Sequence, residues 1–219
     1  MSEWWTYTLS DFLMFSPRTY WRLIELYNAE IWPAQLAAAA TGAVILALLY
    51  RGGGVASRGI ALLLALAWAW VAYAFLLARY DAINWAGRYF AAGFAVQALL
   101  LALLAAIGRP ALRSLREATA RIGLAIYLFA LVGYPLLGPL LGRSWRQAEV
   151  FGLAPDPTAL GTLGLVLTWR GGTAAMALPI LWCGIAGAQL WAMQAPEAAL
   201  APALALLAVV AALYGRKRG

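Results

Sequence analysis

The chain has 219 residues, of which 64% are hydrophobic and only 11% are charged, and its formal net charge is +7. Soluble domains carry about 25% charged residues, so the composition excludes an ordinary soluble protein and predicts a fold within a lipid bilayer. The positive charge requires no nucleic acid as a partner, because basic segments are attracted to the anionic headgroups of a membrane surface.

The residue types that are missing restrict the chemistry further. The chain has one cysteine, Cys183, and no histidine. These counts exclude an intramolecular disulfide, a CxxC redox pair and histidine ligands for zinc, copper or haem. We therefore predict no cofactor, no metal site and no catalytic residue. An enzyme is the less favoured class, although carboxylate chemistry within the membrane stays open.

Residues 1–31 are predicted to form an interfacial segment that is rich in aromatic side chains. A Ser-Pro pair at 16–17 is typical of a helix start. Arg22 and Glu25 are three residues apart and able to pair. On the other face, apolar residues recur at helical spacing: Tyr20, Ile24, Tyr27 and Ile31. Such an amphipathic helix lies in the membrane interface, either as an anchor or as a lid over an outer pocket.

The expected fold is all-α, a polytopic bundle of about seven transmembrane helices over residues 32–214. A spanning helix needs about 20 mostly apolar residues. Six segments approach or meet this length and the fifth is short: 32–50, 59–77, 89–107, 122–141, 157–169, 173–191 and 198–214. A basic tail, 215–219, follows the last segment.

The distribution of basic residues predicts the orientation of these segments. Lysine and arginine favour cytoplasmic loops. With seven crossings and the N-terminus outside, ten basic residues lie inside and six lie outside. If the fifth segment instead returns to the side from which it enters, six lie inside and ten outside. We therefore predict that the fifth segment crosses and that the C-terminus is cytoplasmic.

The fifth segment is too short to cross as a regular helix. Its 12 apolar residues, 158–169, make about 18 Å of helix against a hydrocarbon core of about 30 Å. Asp156 and Pro157 are typical of an acidic N-cap and a first helical residue. Either this end reaches the headgroup level in a tilted helix, which we favour, or it lies submerged among neighbouring helices and needs polar partners.

Glycine and proline concentrate in the fourth to sixth segments. Pro135 and Pro139 favour kinks in the fourth segment. Gly138 and Gly142 form a small-xxx-small pair that permits close helix approach. A pocket is therefore expected in this half of the chain, and close packing of helices explains the same pattern equally well.

The polar residues that are candidates for binding a ligand gather at the predicted outer ends of the helices. They are Asp156, Thr158, Glu149, Arg79, Asp81, Asn84, Arg88 and Gln189. The carboxylates could bind a hard cation, and the arginines an anion or a lipid headgroup. Salt bridges that fix the loops against the helix ends are the favoured explanation.

Three stretches resemble a family of bacterial multi-pass inner-membrane proteins of unknown function: SEWWTYTLSDFLMFSPRTYWRLIELYNAEIWPAQ, RYDAINWAGRYF and AEVFGLAPDPTALGTLGL. The resemblance extends over nearly the whole chain. Some members of that family have Pro-Cys-Pro-Thr where this chain has residues 155–158, so Asp156 argues against a thiol-dependent role here. The resemblance implies an integral protein of the bacterial inner membrane, and it supplies no activity.

Two functions fit these features. The preferred one is a non-enzymatic accessory or scaffold subunit of a membrane complex, because the long apolar segments lack the charged residues that mark ion pathways. The alternative is a small-solute permease, or a ligand- or lipid-binding membrane protein, with an outward-facing pocket among helices four to six. The expected partners are membrane lipids and either other membrane proteins or further copies of this chain.

Overall fold

The computed structural model describes residues 14–107 and 111–217. Three predicted features extend beyond these residues: positions 1–13 of the interfacial segment, Arg109 in an inner loop, and positions 218–219 of the basic tail. The described chain is a bundle of helices with one pair of two-residue strands, β1 (Ala111–Leu112) and β2 (Trp169–Arg170). The predicted all-α fold is confirmed.

The helices follow one another with short connections. In chain order they are α1 (Pro17–Glu30), α2 (Ala34–Arg51), α3 (Gly53–Trp70), α4 (Gly87–Ile107), α5 (Ala118–Leu128), α6 (Tyr134–Leu140), α7 (Pro155–Leu167), α8 (Ala177–Ala192) and α9 (Leu200–Lys217). A π-helix over Val71–Leu77 extends α3, and a second π-helix over Phe129–Gly133 joins α5 to α6.

Helices long and apolar enough to cross a membrane are present at five of the predicted positions. They are Ala34–Arg51, Gly53–Ala82, Gly87–Ile107, Ala118–Leu140 and Thr173–Ala192. The helix over Leu200–Gly215 is apolar but shorter, and α7 has 13 residues. The second of the long helices begins six residues before its predicted start, because part of the glycine-rich stretch before it forms the first turn of α3.

The α1 helix has the predicted amphipathic character. Ser16 caps its first turn, and Arg22 and Glu25 form the expected ion pair over 2.9 Å. Its apolar face is buried, and Tyr20, Ile24 and Tyr27 are each at most 2% exposed. That face packs on the protein itself, near the turn at Trp145–Gln147, so α1 covers the chain that leads into α7.

The two strands show at which end of the bundle α7 finishes. β1 follows α4, and it pairs antiparallel with β2, which follows α7. Arg170 of β2 also pairs with Glu117, at the start of α5, over 2.5 Å. The end of α7 therefore lies beside the α4–α5 connection, whereas its start lies at the opposite end, beneath α1. The helix traverses the bundle and does not return to the end at which it begins.

The α7 helix is the centre of the bundle. All 13 of its residues are buried, and it contacts α3, α5, α8 and α9. The backbones of α5 and α7 touch where two glycines face each other, because a Cβ atom added to Gly164 would lie 2.5 Å from the carbonyl oxygen of Gly123. A side chain at either position would push the two helices apart.

The chain enters the bundle before α7 begins. Most residues of the non-helical stretch 148–154 are buried. Three side chains bind its carbonyl and N–H groups over 2.9 Å each: those of Asn28 and Tyr27 donate and that of Thr158 accepts. Irregular backbone is tolerated at membrane depth only where protein surrounds it in this way.

The glycines and prolines of the fourth segment have different roles. The predicted packing pair of Gly138 and Gly142 is wrong, because α6 ends at Leu140 and Gly142 adopts a φ of +82° beyond that end. Glycine with positive φ is the common way to terminate a helix. The π-helix over Phe129–Gly133 ends just before Pro135, and a wider turn of this kind is one of the known causes of a kink. The kink itself stays a prediction.

Candidate functional site

Asp156 does not cap α7, so the predicted acidic N-cap is wrong. The helix begins at Pro155, two residues before the predicted first residue, and this places Asp156 within the first turn. Its carboxylate is enclosed in the bundle, with 3% of the residue exposed. It accepts hydrogen bonds from the hydroxyl of Tyr134 over 3.0 Å and from Nε1–H of Trp182 over 2.8 Å. The arrangement is that of a helix end enclosed by its neighbours.

Glu149 lies on the buried stretch before α7 and is 6% exposed. Its carboxylate accepts one hydrogen bond, 3.3 Å long, from the hydroxyl of Tyr20 on the covered face of α1. Burial raises the pKa of Glu149 well above its ordinary value, and the nearby charge of Asp156 raises it further, while Arg143 acts in the opposite direction. Glu149 therefore binds a proton more readily than an exposed glutamate.

A third enclosed carboxylate belongs to Glu197, in the turn before α9. It pairs with the guanidinium of Arg143 over 2.5 Å, and the two side chains are 6% and 16% exposed. The guanidinium also lies 3.9 Å from the centre of the Trp21 ring. Oε2 of Glu197 and Nε of Arg143 are enclosed and have no hydrogen-bond partner among the described residues.

We call Glu149, Asp156, Glu197 and Arg143 the acidic centre. Three carboxylates and one guanidinium leave an excess of two negative charges if all four groups are ionised. Enclosed charges are either paired or neutralised by taking up protons. Asp156 has two hydrogen-bond donors and lies in the first turn of α7, where the partial positive charge of the helix favours an anion. Glu149 has one long hydrogen bond, so its ionised form is the less stabilised of the two.

Two of the predicted residues meet beside this centre through a residue that was not predicted. The hydroxyl of Tyr80 donates to Oε1 of Gln189 over 2.7 Å, and Nδ2 of Asn84 donates to the same hydroxyl over 3.1 Å. These bonds tie the connection between α3 and α4 to α8. All three side chains have partners, so the group acts as a structural clamp.

The charged candidates between α3 and α4 form salt bridges. Arg79 pairs with Glu30 at the end of α1 over 2.8 Å, and its guanidinium lies 4.9 Å from the centre of the Tyr27 ring. Asp81 pairs with Arg88 over 3.1 Å and also accepts the N–H of that residue. These pairs fix loops against helix ends, as the favoured explanation proposed, and they do not join the acidic centre.

Thr158 serves the backbone around it. Its hydroxyl donates to the carbonyl of Ala154 over 2.6 Å and accepts the N–H of Gly152 over 2.9 Å. Both capacities of the hydroxyl are used, so Thr158 fixes the buried stretch onto the first turn of α7. Of the eight predicted residues, Glu149 and Asp156 are the two that belong to the acidic centre.

Several residues around the acidic centre were not predicted from the sequence. The sequence gives no sign that Tyr134 or Trp182 lies beside a carboxylate, because aromatic residues are common in kinked and in closely packed membrane helices. Arg143 and Glu197 lie in two connections that are far apart in the chain. The one available signal was the position of Tyr20 on the apolar face of α1, where a hydroxyl needs a buried partner.

The three carboxylates do not form a set of metal ligands, because no group of three or more such side chains among the described residues could hold a metal ion. No curated protein and no solved structure is significantly similar to the chain. One family model matches residues 18–218, which contain the described helices and the whole acidic centre. The chain belongs to this family, DUF6064, a family of unknown function.

Proposed function

We propose that the chain is an integral protein of the bacterial inner membrane that binds a proton at the acidic centre, with Glu149 as the acceptor. Seven segments cross the membrane in this proposal, the N-terminus lies outside and the C-terminus lies in the cytoplasm. The direction of α7 through the bundle and the ten-to-six distribution of basic residues both support this orientation. The acidic centre then lies towards the outer face.

The observation that carries the proposal is the charge of the acidic centre. Its three carboxylates face a single guanidinium inside a bundle that is otherwise almost entirely apolar. Ionisable groups inside membrane proteins are expensive, and they commonly mark ion pathways and proton relays. A purely architectural protein has no need of an enclosed excess of carboxylates. This favours the ligand-binding alternative over the scaffold subunit.

A proton fits this centre better than a larger ligand does. The described cavities are lined by other residues, at the two ends of the molecule and between α2 and α3. Both oxygen atoms of Asp156 already accept hydrogen bonds. A proton requires no cavity and neutralises Glu149 in place.

The position of Glu149 links the proton to the outer part of the fold. When Glu149 is protonated, Asp156 is the one unpaired anion and the stretch 148–154 packs without repulsion. When the proton leaves, two carboxylates repel each other, and the hydrogen bond from Tyr20 still joins Glu149 to α1. Proton release therefore loosens or shifts the stretch between α1 and α7, and this would make the protein responsive to external pH.

Infrared spectroscopy of the full chain in lipid vesicles tests the proposal directly. A protonated, enclosed carboxyl gives a C=O stretching band separate from that of ionised carboxylates. We expect such a band near neutral pH in the unaltered protein and its loss in Glu149→Gln. Asp156→Asn should retain the band, but as the pH is raised the band should be lost at a lower pH than in the unaltered protein. The reason is that the neighbouring negative charge that holds the proton on Glu149 is gone.

The contrasting results are equally clear. A spectrum without any protonated carboxyl at neutral pH would overturn the proposal. So would a band that survives in Glu149→Gln and vanishes in Asp156→Asn, since Asp156 would then hold the proton. Glu30→Gln is the matched control, because the Glu30 side chain is 67% exposed and its removal should leave the band unchanged.

A further inference from the structure

Two cavities adjoin at the end of the bundle that carries α1. The outer cavity, about 560 Å³, lies between the end of α1, the start of α2 and the turn at Trp145–Gln147. The second cavity, about 200 Å³, lies deeper, between α2 and α3, and residues 151–153 close its inner wall. We call it the alkyl slot.

The two cavities have lining residues that are neighbours in the chain on two segments. On α2, Gln35 lines the outer cavity and Ala34 lines the alkyl slot. On the stretch before α7, Val150 lines the outer cavity and Phe151 lines the slot. An elongated molecule that occupied both cavities would have one end at the outer surface and the other between the two helices.

The outer cavity offers groups that bind a phosphate ester at a membrane surface. Arg146 is exposed and makes no ion pair within the described chain. Trp32 and Trp145 are 64% and 65% exposed, and indoles of this kind favour the headgroup level. Oε1 of Gln35 is enclosed without a hydrogen-bond partner, while its Nε2 donates to Asn28. The free guanidinium suits a phosphate, whereas the unused acceptor suits a donor such as a headgroup hydroxyl.

The alkyl slot is lined mainly by apolar side chains. On α2 it is lined by residues at i, i+3, i+4 and i+7, which lie on one face of a helix: Ala34, Ala37, Ala38 and Thr41. The hydroxyl of Thr41 is satisfied by the carbonyl of Ala37 over 2.8 Å, so the residue presents its methyl group. Short side chains along this face leave a groove of the width of a hydrocarbon chain.

We propose that this pair of cavities binds one phospholipid, with its phosphate at Arg146 and one acyl chain in the alkyl slot. The order of polarity decides the occupant. A guanidinium and two indoles lie at the outer end, and an apolar groove lies below them. A phospholipid in the membrane has the same order of polarity, with its headgroup outside and its acyl chains below. The site is separate from the acidic centre, and the lipid would brace the stretch that carries Glu149 from its other side.

Binding of defined lipids to the full chain, measured by native mass spectrometry, tests this proposal. The probes are phosphatidylglycerol, diacylglycerol, which lacks the phosphate, and inorganic phosphate. Ala37→Leu fills the slot and should weaken binding of both lipids by about tenfold, equivalent to about 1.4 kcal/mol. Arg146→Gln should weaken the binding of phosphatidylglycerol by a similar factor and leave the binding of diacylglycerol unchanged.

Matched controls separate the site from general lipid contact. Ala40 is exposed on α2 like Ala37 but does not line the slot, so Ala40→Leu should bind both lipids as the unaltered protein does. Arg18→Gln is the corresponding control for Arg146. Equal binding by Ala37→Leu and Ala40→Leu would overturn the proposal. Displacement of phosphatidylglycerol by inorganic phosphate with no effect of Ala37→Leu would also overturn it, because the site would then bind an anion and not a lipid.

Discussion

Glu149 and Asp156 show how two similar side chains acquire different states from their surroundings. Asp156 receives hydrogen bonds from an indole and a phenol and lies in the first turn of a helix. Glu149 receives one longer bond from Tyr20. Donors and helix dipoles stabilise the ionised form, whereas burial without them stabilises the neutral form. We therefore assign the negative charge to Asp156 and the proton to Glu149.

This assignment predicts how stability depends on pH. The pKa of Glu149 is raised in the folded protein, so the folded state holds the proton more tightly than the unfolded state, in which a glutamate has a pKa of about 4.3. The resulting stabilisation is complete below that value and is lost as the pH rises through the folded pKa. The melting temperature in detergent should therefore fall as the pH is raised above about 5, and Glu149→Gln should reduce this fall.

The comparison with Glu30→Gln isolates the effect. Removal of the exposed carboxylate at Glu30 should leave the pH dependence as it is in the unaltered protein. If Glu149→Gln melts with the same pH dependence as Glu30→Gln, Glu149 does not exchange a proton on unfolding and the assignment is wrong.

At the scale of elements, α7 depends on the absence of a side chain at its crossing with α5. A Cβ at Gly164 would lie 2.5 Å from the carbonyl oxygen of Gly123 and 2.7 Å from the N atom of Tyr127. Both are backbone atoms, so the helices must separate to relieve the contact. We expect Gly164→Ala to destabilise the fold by about 1–3 kcal/mol, as overpacking usually does, and thermal unfolding in detergent measures it.

Gly93 provides the control for this substitution. It lies in the interior of α4, and a Cβ added there would meet nothing within 4 Å. Gly93→Ala should leave stability unchanged or raise it slightly, since alanine is the better helix former. Similar melting temperatures for Gly164→Ala and Gly93→Ala would show that α5 and α7 are not in the close contact described.

The helices themselves were largely predictable from the sequence, because long apolar runs identify them without any tertiary information. The burial of α7 was not, since a short helix that is apolar on every side has no polar face to show which neighbours it meets. Its start was also misplaced: Pro155 and Pro157 both suit a first turn, and local preference cannot choose between them. The choice decides whether Asp156 caps the helix or turns into the bundle.

The acidic centre was predictable only in part, and the reason is sequence separation. Glu149 and Asp156 are seven residues apart and were singled out together. Tyr20 lies 129 residues from Glu149, and its contact depends on how α1 folds back over the bundle. The pairing of Arg143 with Glu197 likewise joins two connections that are remote in the chain. Contacts between residues so far apart in the chain leave no periodic pattern in the sequence, so they cannot be predicted from it.

At the scale of the whole molecule, the two ends of the bundle differ in charge. The end with the β1–β2 pair carries Arg113, Arg116 and Arg170, with Glu117 as its acidic partner. The opposite end carries the acidic centre and ion pairs such as Arg79 with Glu30. Since basic loops favour the cytoplasm, this difference supports the proposed orientation, in which the first end faces inwards and the acidic centre lies towards the outer side.

This orientation rests on α7 crossing the membrane, and thiol labelling of intact cells tests it most directly. In a Cys183→Ala background, one variant carries a cysteine after Gly219 and another carries Trp85→Cys in the connection between α3 and α4, where Trp85 is 56% exposed. A membrane-impermeant maleimide should label Trp85→Cys in intact cells and the C-terminal cysteine only after lysis. Labelling of the C-terminal cysteine in intact cells would contradict the crossing of α7 and the outward position of the acidic centre.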